Sequence, residues 1–139
     1  MRNTIAKLGL ALAAASMLAV PGAEARTRKT AQEQLAGILK DRVAGEPVDC
    51  IWMPTVDSTT VIDKTAIVYR SGSTYYVNYP RTGAESLNDD DILVTRLWSS
   101  NLCSIDTVQL HDRMSGMWSG FVGLGKFVPY KREKVAAAD

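Results

Sequence analysis

The sequence predicts an α+β fold that is mostly β: one N-terminal helix packed on a small antiparallel sheet, rolled toward a barrel or folded over as a sandwich. Three observations predict it. Helical apolar spacing is confined to residues 31–43. From Val48 onward the apolar residues come in short runs separated by turn residues. All the aromatic residues, three Trp, five Tyr and two Phe, lie between Trp52 and Tyr130, where a β core uses them.

The helix begins at a capping box, Thr30-Ala31-Gln32-Glu33, in which the threonine caps and the glutamate reaches back. Ala31, Leu35, Ile38, Leu39 and Val43 follow on one face, with Gln34, Lys40 and Asp41 on the other. Gly45 and Pro47 are the expected stop. Such a helix is marginal alone, so its apolar stripe is expected to dock on the sheet.

Strands are expected over Val48–Met53, Val61–Ile62, Ala66–Arg70, Thr74–Tyr79, Ile92–Trp98, Ile105–Asp112 and Trp118–Val128. Ser71-Gly72-Ser73 reads as the turn of a hairpin that points Ile67, Tyr69, Tyr75, Val77 and Tyr79 inward. Gly120, Gly123 and Gly125 loosen the last strand and suit a bulge or sharp coiling. They form no phosphate cradle, because no helix follows them.

The first residues read as a signal peptide, 1–25. Arg2 and Lys7 give a positive start, Leu8 to Val20 is apolar, Pro21 and Gly22 break it, and Ala23-Glu24-Ala25 is a small-residue cleavage site. The apolar run falls short of the roughly 20 residues that span a bilayer, and no cysteine follows it for a lipid anchor. The expectation is a periplasmic chain with no transmembrane segment after cleavage. It would form a single β-rich domain, 26–139, with its core over about 48–130 and a frayed tail, 131–139. A chain of 139 residues leaves no room for a second full core.

Sixteen Lys and Arg stand against fifteen Asp and Glu, a net charge of +1. Arg2, Lys7 and Glu24 leave with the signal, so the exported part is balanced. That charge excludes the basic footprint of a general nucleic-acid binder. It also gives no global field toward anionic lipid, although local patches remain open.

One histidine and two cysteines cannot build a Cys/His zinc site of the usual kind. In an oxidising compartment Cys50 and Cys103 are expected to form a disulfide. They lie far outside the spacing of a redox Cys-x-x-Cys pair. His111-Asp112 is the one place where a histidine meets a carboxylate, but neighbours along a strand point to opposite faces, which suits a surface histidine better than a catalytic one. Asn88-Asp89-Asp90-Asp91 lacks the glycine turn and distal acid of a calcium loop and reads as a solvated acidic turn. No motif asks for a cofactor. Tyr76, Trp98, Trp118 and Tyr130 are the candidate binding aromatics, able to stack on sugar rings or on a partner's side chains.

The segments Val48-Asp49-Cys50-Ile51, Val61 to Arg70, Leu102 to Val108 and Leu124 to Tyr130 resemble a family of small exported proteins of Gram-negative bacteria, a domain of unknown function. The resemblance covers roughly residues 48 to 130 and implies no activity, substrate, cofactor or catalytic residue. Relatives carry a second cysteine pair near the positions of Ala84 and Val122, which implies that Cys50 and Cys103 pair with each other. The functional expectation is a small periplasmic module, stapled by one disulfide, that binds an envelope protein or a glycan. The alternatives are a periplasmic hydrolase using His111 and an accessory subunit of an envelope complex, docking through the helix or exposed aromatics.

Overall fold

A computed structural model describes residues 27–134; the signal peptide inferred for residues 1–25 and the tail beyond Lys134 lie outside the described residues. The described chain has one α-helix, α1 (Ala31–Ile38), two single-turn 3-10 helices (Met53–Thr55 and Ala84–Ser86) and ten strands. These are β1 (Arg42–Ala44), β2 (Cys50–Trp52), β3 (Ser58–Ile62), β4 (Ala66–Ser71), β5 (Thr74–Asn78), β6 (Asp91–Thr95), β7 (Asn101–Cys103), β8 (Thr107–Asp112), β9 (Trp118–Gly123) and β10 (Phe127–Arg132). They form antiparallel sheets: a five-stranded sheet in the order β1-β10-β5-β4-β3, a three-stranded sheet β6-β8-β9, and a ribbon β2-β7.

The expected α+β, mostly β class is what the chain adopts, as layers and not as a closed barrel. One face of the five-stranded sheet carries Ala66, Val68, Tyr75, Val77 and Tyr130, which pack against Ala31, Leu35, Ile38 and Leu39 of α1 and its C-cap. The opposite face carries Ile67, Tyr69 and Phe127. These join Val108, Leu110 and Val122 of the three-stranded sheet and Ile51 and Leu102 of the ribbon in the main core. Tyr69 and Phe127 meet edge to face, ring centroids 5.8 Å apart, the arrangement aromatic quadrupoles favour.

Four expectations are corrected. The capping box is present: Glu33 N donates to Thr30 Oγ1 at 3.2 Å, and Thr30 N donates to Glu33 Oε2 at 2.8 Å. The helix nevertheless ends at Ile38 instead of running to Val43. Asp41 takes a left-handed conformation, φ +59°, that short polar residues tolerate. Residues 42–44 then pair with β10, and Val43 becomes an exposed strand residue. Long-range pairing overrides the helical spacing.

The hairpin closes through Gly72-Ser73 alone, because Ser71 pairs with Thr74. Gly72 has φ +57°, as a first central turn residue in a two-residue loop requires. One residue fewer in the turn shifts which faces align. Val77 therefore pairs with Val68 toward the helix, Tyr76 pairs with Tyr69 toward the main core, and Tyr79 is exposed.

The expected strand Trp118–Val128 is two strands in different sheets. At Leu124-Gly125-Lys126 the chain crosses from the three-stranded to the five-stranded sheet. A Cβ on Gly125 would stand 2.4 Å from the carbonyl oxygen of Tyr79, so the crossing admits only glycine without a shift. β10 continues to Arg132, so the first two residues of the expected frayed tail are paired with β1.

Cys50 and Cys103 are bonded, directly opposite each other in the ribbon, with Cα atoms 4.0 Å apart. They link residues 53 apart in sequence. Two three-residue strands make a weak ladder, and the covalent link fixes it against the core through the neighbouring Ile51 and Leu102.

Candidate functional site

The three-stranded sheet turns Leu93, Val108, Leu110 and Val122 toward the core. Its other face is open and mostly apolar. The register sets Ile92, His111 and Trp118 in one row across β6, β8 and β9, and Val94, Gln109 and Phe121 in the next. Ile92 is 41% exposed, Val94 38%, Trp118 61% and Phe121 52%. Four large apolar side chains thus flank two polar ones on a single sheet face.

A bulge places the tryptophan there. Leu110 pairs with Gly120 but His111 pairs with Trp118, so Ser119 is the extra residue. Strict alternation from Phe121 would have turned Trp118 toward the core; one inserted residue turns it outward beside Phe121. Ser119 is anchored by its Oγ, which donates to Asp91 Oδ1 at 3.1 Å. Glycine at 120, with φ +151°, accommodates the bend, and its missing side chain leaves room for Ser86.

The four candidate aromatics separate. Trp118 stands on the open face. Trp98 is fully exposed, but in the loop after β6, toward the opposite end of that strand from the Ile92–His111–Trp118 row. Tyr76 is half-buried against the main core, and Tyr130 is half-buried on the helix side. The sequence did not single out Phe121, Ile92 or Val94 as binding residues. The signal for Ile92 and Val94 was the run Ile92-Leu93-Val94, apolar on both faces of one strand.

His111 lies on the open face but is not paired with its neighbour. Its Nδ1 is 3.2 Å from the carbonyl oxygen of Gly116, which only accepts, so this nitrogen carries the proton in that bond. Asp112 is committed elsewhere. Its Oδ1 accepts from Ser115 N at 2.7 Å, Ser115 Oγ at 2.7 Å and Met114 N at 3.1 Å. Those bonds, the Ser115 backbone N–H first, hold its carboxyl below the ordinary range. The carboxylate shapes the β8–β9 turn and does not orient the imidazole.

The Asn88–Asp91 segment differs from a fully solvated turn. Asn88 Oδ1 accepts from Asp90 N at 3.1 Å, and Asp89 pairs with Arg28. Asp91 is only 6% exposed and is the acceptor that holds Ser119. Among the described residues no group of three or more His, Cys, Asp or Glu is gathered around a common point. No helix there is long and apolar enough to cross a membrane.

No protein family, characterised protein or solved structure matches this chain.

Proposed function

We propose that the protein is an exported, periplasmic interaction module that docks an envelope protein through the open face of its three-stranded sheet. The observation that carries the reading is the placement of Ile92, Val94, Trp118 and Phe121 on that one face, each more than a third exposed. Charged groups are depleted and aromatics enriched at the centres of protein interfaces. The six residues of the face include no lysine, arginine or carboxylate. Two aliphatic side chains favour a protein partner over a glycan, which needs more hydrogen-bonding groups than Gln109 and His111 provide. The signal-like first 25 residues and the resemblance to small exported proteins support the compartment.

A hydrolase built on His111 has less support, since its ring is bonded to a backbone carbonyl and Asp112 to a turn. The test is capture from solubilised envelope with the wild-type chain and with the double variant Trp118→Ser, Phe121→Ser. Both residues are exposed, so the variant should keep its melting temperature while losing the captured partner. Equal capture by both chains would overturn the proposal, and retention on glycan resins alone would move it to the glycan class.

A further inference from the structure

On the helix side of the five-stranded sheet, beyond the end of α1, four basic residues line one groove against a single acid, Asp41, which makes no salt bridge with any of them among the described residues. The register places Arg42 directly opposite Arg132 and Arg70 directly opposite Tyr75. With Lys40 they line a groove of about 500 Å³ that also contains Ser58 and Thr60. None of the four makes a salt bridge among the described residues, where the ion pairs are Arg28–Asp89 and Lys126–Asp49. Asp89, Asp63 and Asp90, the acidic groups around Arg28, are not among the residues lining this groove, so Asp41 stands alone there against the four basic residues. The near-zero net charge therefore conceals a local basic surface.

Like charges directly opposite in a sheet are destabilising, and Arg42 and Arg132 stand so with no salt bridge to either among the described residues. Arg42 is held in place: its guanidinium lies 3.8 Å from the centroid of the Tyr75 ring, and it donates to the carbonyl oxygen of Ser73. Arg70 Nε donates to the carbonyl oxygen of Gly72 at 3.3 Å. Guanidinium groups fixed in this way lose little freedom on binding, and their planar forks match the oxygens of a phosphate. The groove falls within the range of small-molecule sites, roughly 300–1,000 Å³.

We propose that this groove binds a phosphate monoester, the phosphate seated between Arg42 and Arg132 with Arg70 and Lys40 at its flanks, and Ser58 and Thr60 facing the group that carries it. The site uses a different face from the protein-docking surface and stands or falls separately from it.

The test uses the purified chain with its disulfide intact and inorganic pyrophosphate as the soluble probe, followed by NMR at constant ionic strength. Shifts should be confined to residues 40–42, 58–60, 70–75 and 132. The double variant Arg42→Gln, Arg132→Gln should weaken binding by about tenfold or more, as expected for losing hydrogen bonds to a charged group. Arg70→Gln, on the exposed end of β4, gives a second loss without touching the β1–β10 pair. In ligand-free chain Arg132→Gln should raise the melting temperature, since it relieves the Arg42 repulsion; a merely structural arginine would lower it. Vesicles of phosphatidylcholine with and without phosphatidic acid distinguish the sources. Co-sedimentation only with phosphatidic acid, lost in the double variant, supports a lipid headgroup; pyrophosphate binding without co-sedimentation supports a soluble phosphate ester. Shifts spread over all surface lysines and arginines, affinity unchanged in the variants, or no binding of either probe would overturn the proposal.

Discussion

Asn78 and Gly125 hold each other by two reciprocal hydrogen bonds. Asn78 Nδ2 donates to the Gly125 carbonyl oxygen at 2.7 Å, and Gly125 N donates to Asn78 Oδ1 at 3.0 Å. The asparagine is fully buried on β5 and the glycine sits where the chain crosses between sheets. The side chain therefore supplies to the crossing segment the pairing that a neighbouring strand would supply elsewhere. Asn78→Ala would leave a buried N–H and a buried carbonyl without partners, a loss of about 2–3 kcal/mol. Urea denaturation should show the unfolding free energy fall by that amount, and a change near zero would mean that the clamp does not organise the crossing.

The Cys50–Cys103 bond closes a long loop, and the chain-entropy argument assigns such a link about 4 kcal/mol. The double variant Cys50→Ala, Cys103→Ala should lose up to that much stability while keeping its β signature in far-ultraviolet circular dichroism. Intact mass of the native chain should be two hydrogens below the reduced value. Alkylation of either cysteine in unreduced protein would contradict the bond.

Two glycines should respond with opposite signs to alanine. Gly83 has φ +77°, and a Cβ there would approach the Phe121 carbonyl oxygen to 2.2 Å. Gly37 lies in α1 with nothing within 4 Å of the position of its Cβ. Gly83→Ala should cost more than about 1 kcal/mol, whereas Gly37→Ala should stabilise by up to about 1 kcal/mol. Thermal melts of the two variants check the pair.

The N-terminal turn of α1 should depend on pH. Glu33 has its carboxyl held below the ordinary range, chiefly by the bond from the Thr30 backbone N–H and next by that from the Thr30 side chain. A depressed folded value means that the contribution is complete above the unfolded pKa and is lost as pH falls through the folded one. Carboxyl-carbon NMR should therefore show Glu33 titrating below the other exposed glutamates, with fraying of residues 31–34 on further acidification. Glu33→Gln keeps a capping partner and should abolish the pH dependence of that turn. A midpoint at the ordinary glutamate value would contradict the capping box.

Locally encoded features were legible in the sequence, and non-local ones were not. The start of α1 is written in Thr30 and Glu33, and the disulfide in the chain's two cysteines, Cys50 and Cys103. The end of α1 is decided by β10, about ninety residues away in sequence, so the spacing up to Val43 could not reveal it. The hairpin was legible but its register was not, since Ser71 serves equally well as turn or strand. The glycines pointed to a bulge, but the outward turn of Trp118 depends on the pairing of His111 across the sheet. The basic groove was hidden for the same reason: Arg42, Arg70 and Arg132 meet only through the order β1-β10-β5-β4.

The docking claim is tested most directly by a photo-crosslinking amino acid placed at position 121 and, as a control, at exposed Thr59 on the edge strand β3, with ultraviolet activation in intact cells. The account predicts one discrete crosslinked species from position 121, heavier than the chain by the mass of an envelope protein, and none from position 59. Equal yields at the two positions, or no adduct at 121, would contradict it.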